Sequence, residues 1–144
     1  MNDDVATADA RSSHRRSMAI GGVAGFLGVL IGAFGAHGLE DFLVSTYAAG
    51  PELVARRLDQ FDVGARYHLV HALGLLVITA LPGLSARAVR ITSGLMLTGI
   101  VLFSGSLYLL VATNTPWLGA ITPLGGVAWL LAWAGIAIAA LRGR

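Results

Sequence analysis

Four long apolar windows punctuate this chain, each bounded by arginines, acidic residues or turn formers. The first, Met18 to Ala36, holds only apolar and small residues. The second, Tyr67 to Leu84, follows Arg66; the third, Ile91 to Ala112, follows Arg90; the fourth runs from Trp117 to Leu141, just before Arg142. A bilayer core of about 30 Å takes roughly 20 apolar residues in helical form, so each window predicts a membrane-spanning helix. Backbone groups in hydrocarbon must be satisfied within the segment, and the period-two alternation of a barrel strand is absent. The pattern therefore predicts an all-α fold, a four-helix transmembrane bundle over residues 18–144. Residues 1–17 are polar and without periodicity, and are expected to form a disordered tail.

Between the first two windows lies the one sizeable polar loop, residues 38–66. Gly50-Pro51 breaks the chain and offers proline at a first helical position. From there Val54, Leu58 and Phe61 fall at helical spacing, with Glu52, Arg56, Asp59 and Gln60 on other faces. This predicts a short amphipathic helix in the first outer loop, lying on the membrane surface or packed on the bundle. Glu52 and Arg56 stand at the i, i+4 spacing of an ion pair.

The small residues carry a second pattern. In the first window Gly21, Gly25, Gly28, Gly32 and Gly35 recur at steps of four and three. The fourth has its own stripe of Gly125, Ala128, Ala132, Gly135 and Ala139, and the third offers Gly94, Thr98 and Gly105. Small residues let membrane helices approach closely, where dispersion and weak polar contacts drive association. A repeat of 3.5 residues implies left-handed crossing. Such stripes serve a tightly packed bundle, or leave one face as a seam for a homo-oligomer.

Composition sharpens the assignment of solvent. With 56% hydrophobic and 12% charged residues, too little polar surface exists to cover a water-soluble globule. Cysteine is absent, which excludes disulfides, thiolate metal sites and cysteine nucleophiles. The basic residues are all arginine and sit at the ends of the windows instead of forming one basic face, so nucleic acid is not an expected partner. Arg11, Arg15 and Arg16 precede the first window, Arg87 and Arg90 separate the second and third, and Arg142 and Arg144 follow the fourth. The positive-inside rule then predicts both termini in the cytoplasm of a cell expected to carry this protein in its plasma membrane. The first apolar run exceeds the length of a signal-peptide core, so it is expected to stay as an anchor.

With that threading, the unusual polar groups gather toward the outer face. His37 ends the first window, Tyr67, His68 and His71 open the second, Ser104, Ser106 and Tyr108 lie in the outer half of the third, and Thr122 and Pro123 open the fourth. Trp117 suits an interfacial position, while Trp129 and Trp133 are expected to face lipid or a partner helix. The blocks "LGVLIGAFGAHGL", "ARYHLVHALGLL", "VLFSGSLYLL" and "ITPLGGVAWLLAW" resemble, in order and spacing, those of the transmembrane protein 256 family, small multi-pass proteins of unknown function. The resemblance covers all four windows and implies a multi-pass helical membrane protein without supplying a reaction. It places family histidines at His37 and His71. His68 falls where the family pattern commonly has glutamine, which argues against "HLVH" as a family metal motif, and Arg66 falls at a variable position.

Ionisable groups inside spans are expensive and raise functional hypotheses by default. His37 and His71, on adjacent helices, suggest a metal or haem ligand pair, although two nitrogens make a thin zinc shell and the glycine stripes leave little room for a macrocycle. A neutral histidine with Tyr108 suggests a proton or quinone-type site. The third reading is structural, with each polar group bonding a neighbouring carbonyl or hydroxyl to fix one helix on the next. The candidate polar cluster is His37, His71, Tyr108, Ser104, Ser106 and Thr122. No catalytic grouping, phosphate loop, mid-span charge, metal site or cofactor is assigned, and the expected partners are the lipid bilayer and a second copy or larger membrane complex.

Overall fold

The computed structural model describes residues 2–81 and 83–142. Helix α1 runs Asn2–His37, α2 Leu39–Tyr47, α3 Pro51–Ala80 and α4 Ala86–Gly99. A π-helical turn, Ile100–Ser104, continues α4 directly into α5, Gly105–Thr113; a 3-10 turn, Pro116–Ala120, then leads into α6, Thr122–Arg142. No strand occurs among the described residues. Four stretches are long and apolar enough to cross a membrane: His14–His37, Pro51–Ala80, Ala86–Thr113 and Pro116–Arg142. The all-α bundle expected from the apolar windows is the observed architecture.

The boundaries follow from local chemistry. Gly50 is extended (ψ 165°) and Pro51 opens α3, where its missing N–H is harmless. That helix stops at Ala80 because Leu81 precedes a proline and is driven to the extended region (ψ 120°). Ser85 caps α4, its Oγ accepting from the Ala88 N–H at 3.2 Å. Ala48 and Asn114 close α2 and α5 in the left-handed conformation, at φ 47° and 49°.

Three boundaries differ from the sequence expectations. The tail expected to be disordered is helical from Asn2, because a helix nucleated in the span propagates cheaply through good helix formers such as Ala6, Ala8 and Ala10. The helix beginning at Pro51 does not lie apart on the surface; it is the first third of α3 and runs unbroken into the second span. The outer loop does hold a short helix, α2, whose Leu39 and Leu43 bury against Val54, Phe61, Leu110 and Val111. Its apolar face is thus spent on the bundle. The expected Glu52–Arg56 ion pair is absent, and the one found among the described residues is Arg66–Asp62, exposed at 2.9 Å.

Helices α1 and α3 pack antiparallel along a glycine seam. A Cβ at Gly21 would meet Leu75 and Leu76, one at Gly28 would meet Leu69 and His68, and one at Gly35 would meet Phe61. The seven-residue step on α1 is answered by a near-seven-residue step on α3, as left-handed crossing requires. Gly25 and Gly32 are not packed in this seam: beyond the adjacent backbone of α1 itself nothing lies within 4 Å of their Cβ positions, and Gly32 borders a cavity of about 300 Å³ beside Leu58, Asp62 and Ala65 of α3. On the other side of the bundle Gly125 admits the Phe103 backbone of the π turn, Gly99 admits the Trp129 indole, and Gly135 abuts Thr92. The main core, centred on Leu75, Ile78, Val89, Met96, Trp129 and Ala132, lies where α3, α4 and α6 meet.

Candidate functional site

The candidate polar residues do not converge on one centre. Four of the six, His71, Tyr108, Ser106 and Thr122, enter three clamps, each tying two helices together. His71, on α3, lies flat on Trp129 of α6, with ring centroids 3.6 Å apart and planes 3° from parallel. Its Nδ1 is 2.7 Å from the Tyr67 carbonyl oxygen, and the Trp133 Nε1–H donates to its Nε2 at 3.3 Å. Nδ1 must then carry the proton, so the ring is neutral with both nitrogens occupied. Tyr67 stacks on Trp129 as well, at 5.6 Å and 13°, and the Trp129 Nε1–H donates to the Met96 carbonyl at 3.1 Å. Trp129 is 4% exposed, so of the two expected surroundings, lipid or a neighbouring helix, it has the helix. Gly99 is the reason it fits: any side chain there would occupy the indole's place.

The second clamp joins α3 to α5. His68 Nδ1 and the Tyr108 hydroxyl are 3.2 Å apart. His68 is 5% exposed, and its Nε2 has no hydrogen-bond partner among the described residues. The third clamp is Ser106 with Thr122, hydroxyls 2.9 Å apart, with Ser106 also donating to the Phe103 carbonyl at 2.9 Å. Ser104 is fully buried and its hydroxyl is unpartnered.

His37 belongs to none of these. It is exposed at the end of α1. The seam aligns Gly35 with Phe61 and Gly21 with Leu75, which places His37 and His71 roughly 18 Å apart along the helix axes at about 1.5 Å per residue. The cause is the early start of α3: Tyr67, His68 and His71 lie in mid-helix, not at its mouth. No group of three potential metal ligands converges among the described residues.

A groove opens between α1 and the third span. One chamber of about 550 Å³ runs from Ile31 past Ser106 and Tyr108 to Ile121, and a second of about 370 Å³ lies between Val23, Ala24 and Leu97. His68, Ile100 and Val101 line both. The walls are almost wholly apolar. At the end of the bundle that carries the chain termini, Ser17, Thr92 and Ser93 are buried as well, so buried polar groups occur at both ends of the bundle. Single serines in an apolar run carry no periodicity, so only helix adjacency reveals them.

A family model described as "Protein of unknown function (DUF423)" matches residues 31–126. The UPF0382 membrane protein YwdK of Bacillus subtilis (strain 168) is 46% identical over 125 residues, covering 85% of this chain and 94% of that protein. A UPF0382 membrane protein of Staphylococcus epidermidis is 40% identical, covering 85% and 93%. One from Haemophilus influenzae is 31% identical, covering 85% and 90%. No solved structure matches the chain.

Proposed function

The chain belongs to the DUF423 family, whose relatives are named UPF0382 membrane proteins, and from that premise we propose that it is a structural or accessory membrane subunit that associates with itself through α1. The carrying observation is the unpartnered small-residue face of that helix. Gly22, Gly25 and Gly32 have open space where a side chain would stand, beside exposed Val29 and Phe26. Close helix approach is what such a face is suited to, since lipid tails gain little from it. Of the polar groups that suggested chemistry, His71, Tyr108, Ser106 and Thr122 bond within the bundle, and both ring nitrogens of His71 have protein partners. No catalytic step is assigned. Location in the plasma membrane with both termini cytoplasmic, and kinship with transmembrane protein 256 proteins, are parts of the same proposal, supported by the arginine distribution and the four resembling sequence blocks.

The chain has no cysteine, so single-cysteine variants give clean reporters. Gly25→Cys and Gly32→Cys should crosslink into dimers in native membranes at low expression, while Leu130→Cys, exposed on α6, should not. Absence of crosslinks at both α1 positions, together with a monomer by native mass spectrometry, would overturn self-association.

A further inference from the structure

The groove between α1 and the third span continues toward the terminus-bearing end of the bundle into a third chamber of different character. About 200 Å³ in volume, it is lined by Arg16, Ser17 and Ile20 of α1 and by Arg90, Ser93 and Leu97 of α4. Ile20 and Leu97 also line the apolar chamber above it, so the three spaces adjoin in sequence along one helix pair. Neither arginine is in an ion pair among the described residues. Ser93 is 6% exposed, and its hydroxyl has no hydrogen-bond partner. A buried hydroxyl left unpaired carries a free-energy cost that a ligand oxygen would remove.

We propose that this chamber holds the phosphate headgroup of a membrane lipid, with Arg16, Arg90 and Ser93 as its ligands and the lipid chain laid along the groove past Ile20 and Leu97. Guanidinium groups present paired donors that match phosphate oxygens, and basic pockets between membrane helices are suited to lipid headgroups. Charge selects the class of headgroup. Two arginines balance a phosphate monoester, which carries about −1.5 to −2 near neutral pH, whereas a phosphodiester would leave a positive excess. The groove wall selects the tail. From Ser93 to Leu109 the lining positions extend roughly 24 Å at about 1.5 Å per residue. That exceeds the half-thickness of about 15 Å available to an acyl chain in one leaflet. Phosphatidic acid and a long-chain polyprenyl phosphate share the required headgroup, and the test separates them. The site is independent of the proposed self-association: Gly25 and Gly32 flank the Gly28 seam on one side, and Ala24 and Ile31, which line the groove, flank it on the other.

The experiment is native mass spectrometry of the full chain in mild detergent, titrated separately with phosphatidic acid, polyprenyl phosphate, phosphatidylglycerol and phosphatidylcholine. One phosphomonoester lipid per chain should survive activation that strips phosphatidylglycerol and phosphatidylcholine. Arg16→Gln with Arg90→Gln should lower occupancy at least tenfold, Ser93→Ala should lower it several-fold without loss of thermal stability, and Arg87→Gln, at the same end but outside the chamber, should leave it unchanged. Ile20→Trp, at the passage between chambers, should weaken retention of the lipid. Stronger retention of polyprenyl phosphate identifies the longer chain as the occupant, and stronger retention of phosphatidic acid an acyl chain. Equal binding of phosphatidylglycerol, or wild-type binding by the double arginine variant or by Ile20→Trp, overturns the site.

Discussion

His71 and Trp129 lie face to face across the α3–α6 contact, 3.6 Å apart and 3° from parallel, with the imidazole edge bonded to Tyr67 on one side and Trp133 on the other. A stacked pair of this kind adds about 0.5–1.5 kcal/mol beyond burial. A hydrogen bond between membrane helices adds on the order of 0.6 kcal/mol. His71→Ala should therefore destabilise the fold by about 2–3 kcal/mol, cavity included. His71→Phe, which keeps the stack and loses the hydrogen bonds, should cost about half as much. Equilibrium unfolding in SDS-containing mixed micelles measures both, with Trp129→Leu completing a double-mutant cycle. Additive losses for His71 and Trp129 would refute the coupling.

The glycines sort into unequal classes. At Gly125 a Cβ would strike the Phe103 backbone, which cannot rotate aside, and at Gly99 it would strike a rigid indole. Gly125→Ala and Gly99→Ala should each cost about 3 kcal/mol. At Gly28 the obstruction is the end of the Leu69 side chain, so Gly28→Ala should cost about 1 kcal/mol or less. Gly25→Ala meets nothing and gains helix propensity, so the isolated chain should be stabilised by up to about 1 kcal/mol. Thermal unfolding of the four purified variants tests the order, and a destabilised Gly25→Ala monomer would contradict the open face.

Hydropathy made the four spans legible because length and apolarity are properties of each segment alone. The seam of Gly21, Gly28 and Gly35 was legible for the same reason, as a heptad written on one helix. The companion glycines 25 and 32 share that periodicity, yet only the position of α3 decides which side of the stripe is covered. The site was less legible. His37 and His71 looked adjacent because the polar residues 51–66 were taken to lie outside the second span. In the fold those residues form the first turns of α3, with Val54, Arg57 and Phe61 buried by protein, which slides His71 toward mid-bundle. For Trp129 the sequence leaves lipid and a neighbouring helix both open, because an indole in an apolar helix reads the same whether its neighbour is lipid or an imidazole.

The two serines of "FSGS" should respond in opposite ways. Ser104 is fully buried with an unpartnered hydroxyl, so Ser104→Ala removes an unsatisfied polar group and should be neutral or stabilising by up to about 1 kcal/mol. Ser106 bonds both Phe103 and Thr122, so Ser106→Ala leaves Thr122 without its partner and should cost about 1 kcal/mol. Mixed-micelle unfolding of the pair decides, and a loss in Ser104→Ala larger than that in Ser106→Ala would show that Ser104 has a partner.

Arg57 is buried at the C-terminal end of α5, where its Nε and Nη2 donate to Asn114 Oδ1 at 3.1 and 2.6 Å and its Nη1 donates to Gln60 Oε1 at 2.8 Å. Among the described residues no carboxylate pairs with it. Its charge is met by side-chain carbonyls and by the negative end of the α5 dipole. Asn114 serves twice, since it also holds the left-handed closing position of α5 at φ 49°. Asn114→Gly keeps that backbone conformation and loses only the guanidinium's acceptor, which should cost about 2 kcal/mol. Asn114→Ala loses the acceptor and adds a left-handed penalty of about 1 kcal/mol. Arg57→Met removes the charge and its desolvation together while keeping the aliphatic stem, so it should be milder than Asn114→Gly. Thermal unfolding of the three variants gives the ranking, and limited proteolysis near Tyr47, whose hydroxyl bonds the Ala112 carbonyl at 2.6 Å, reports whether the loosened α5 end also frees α2.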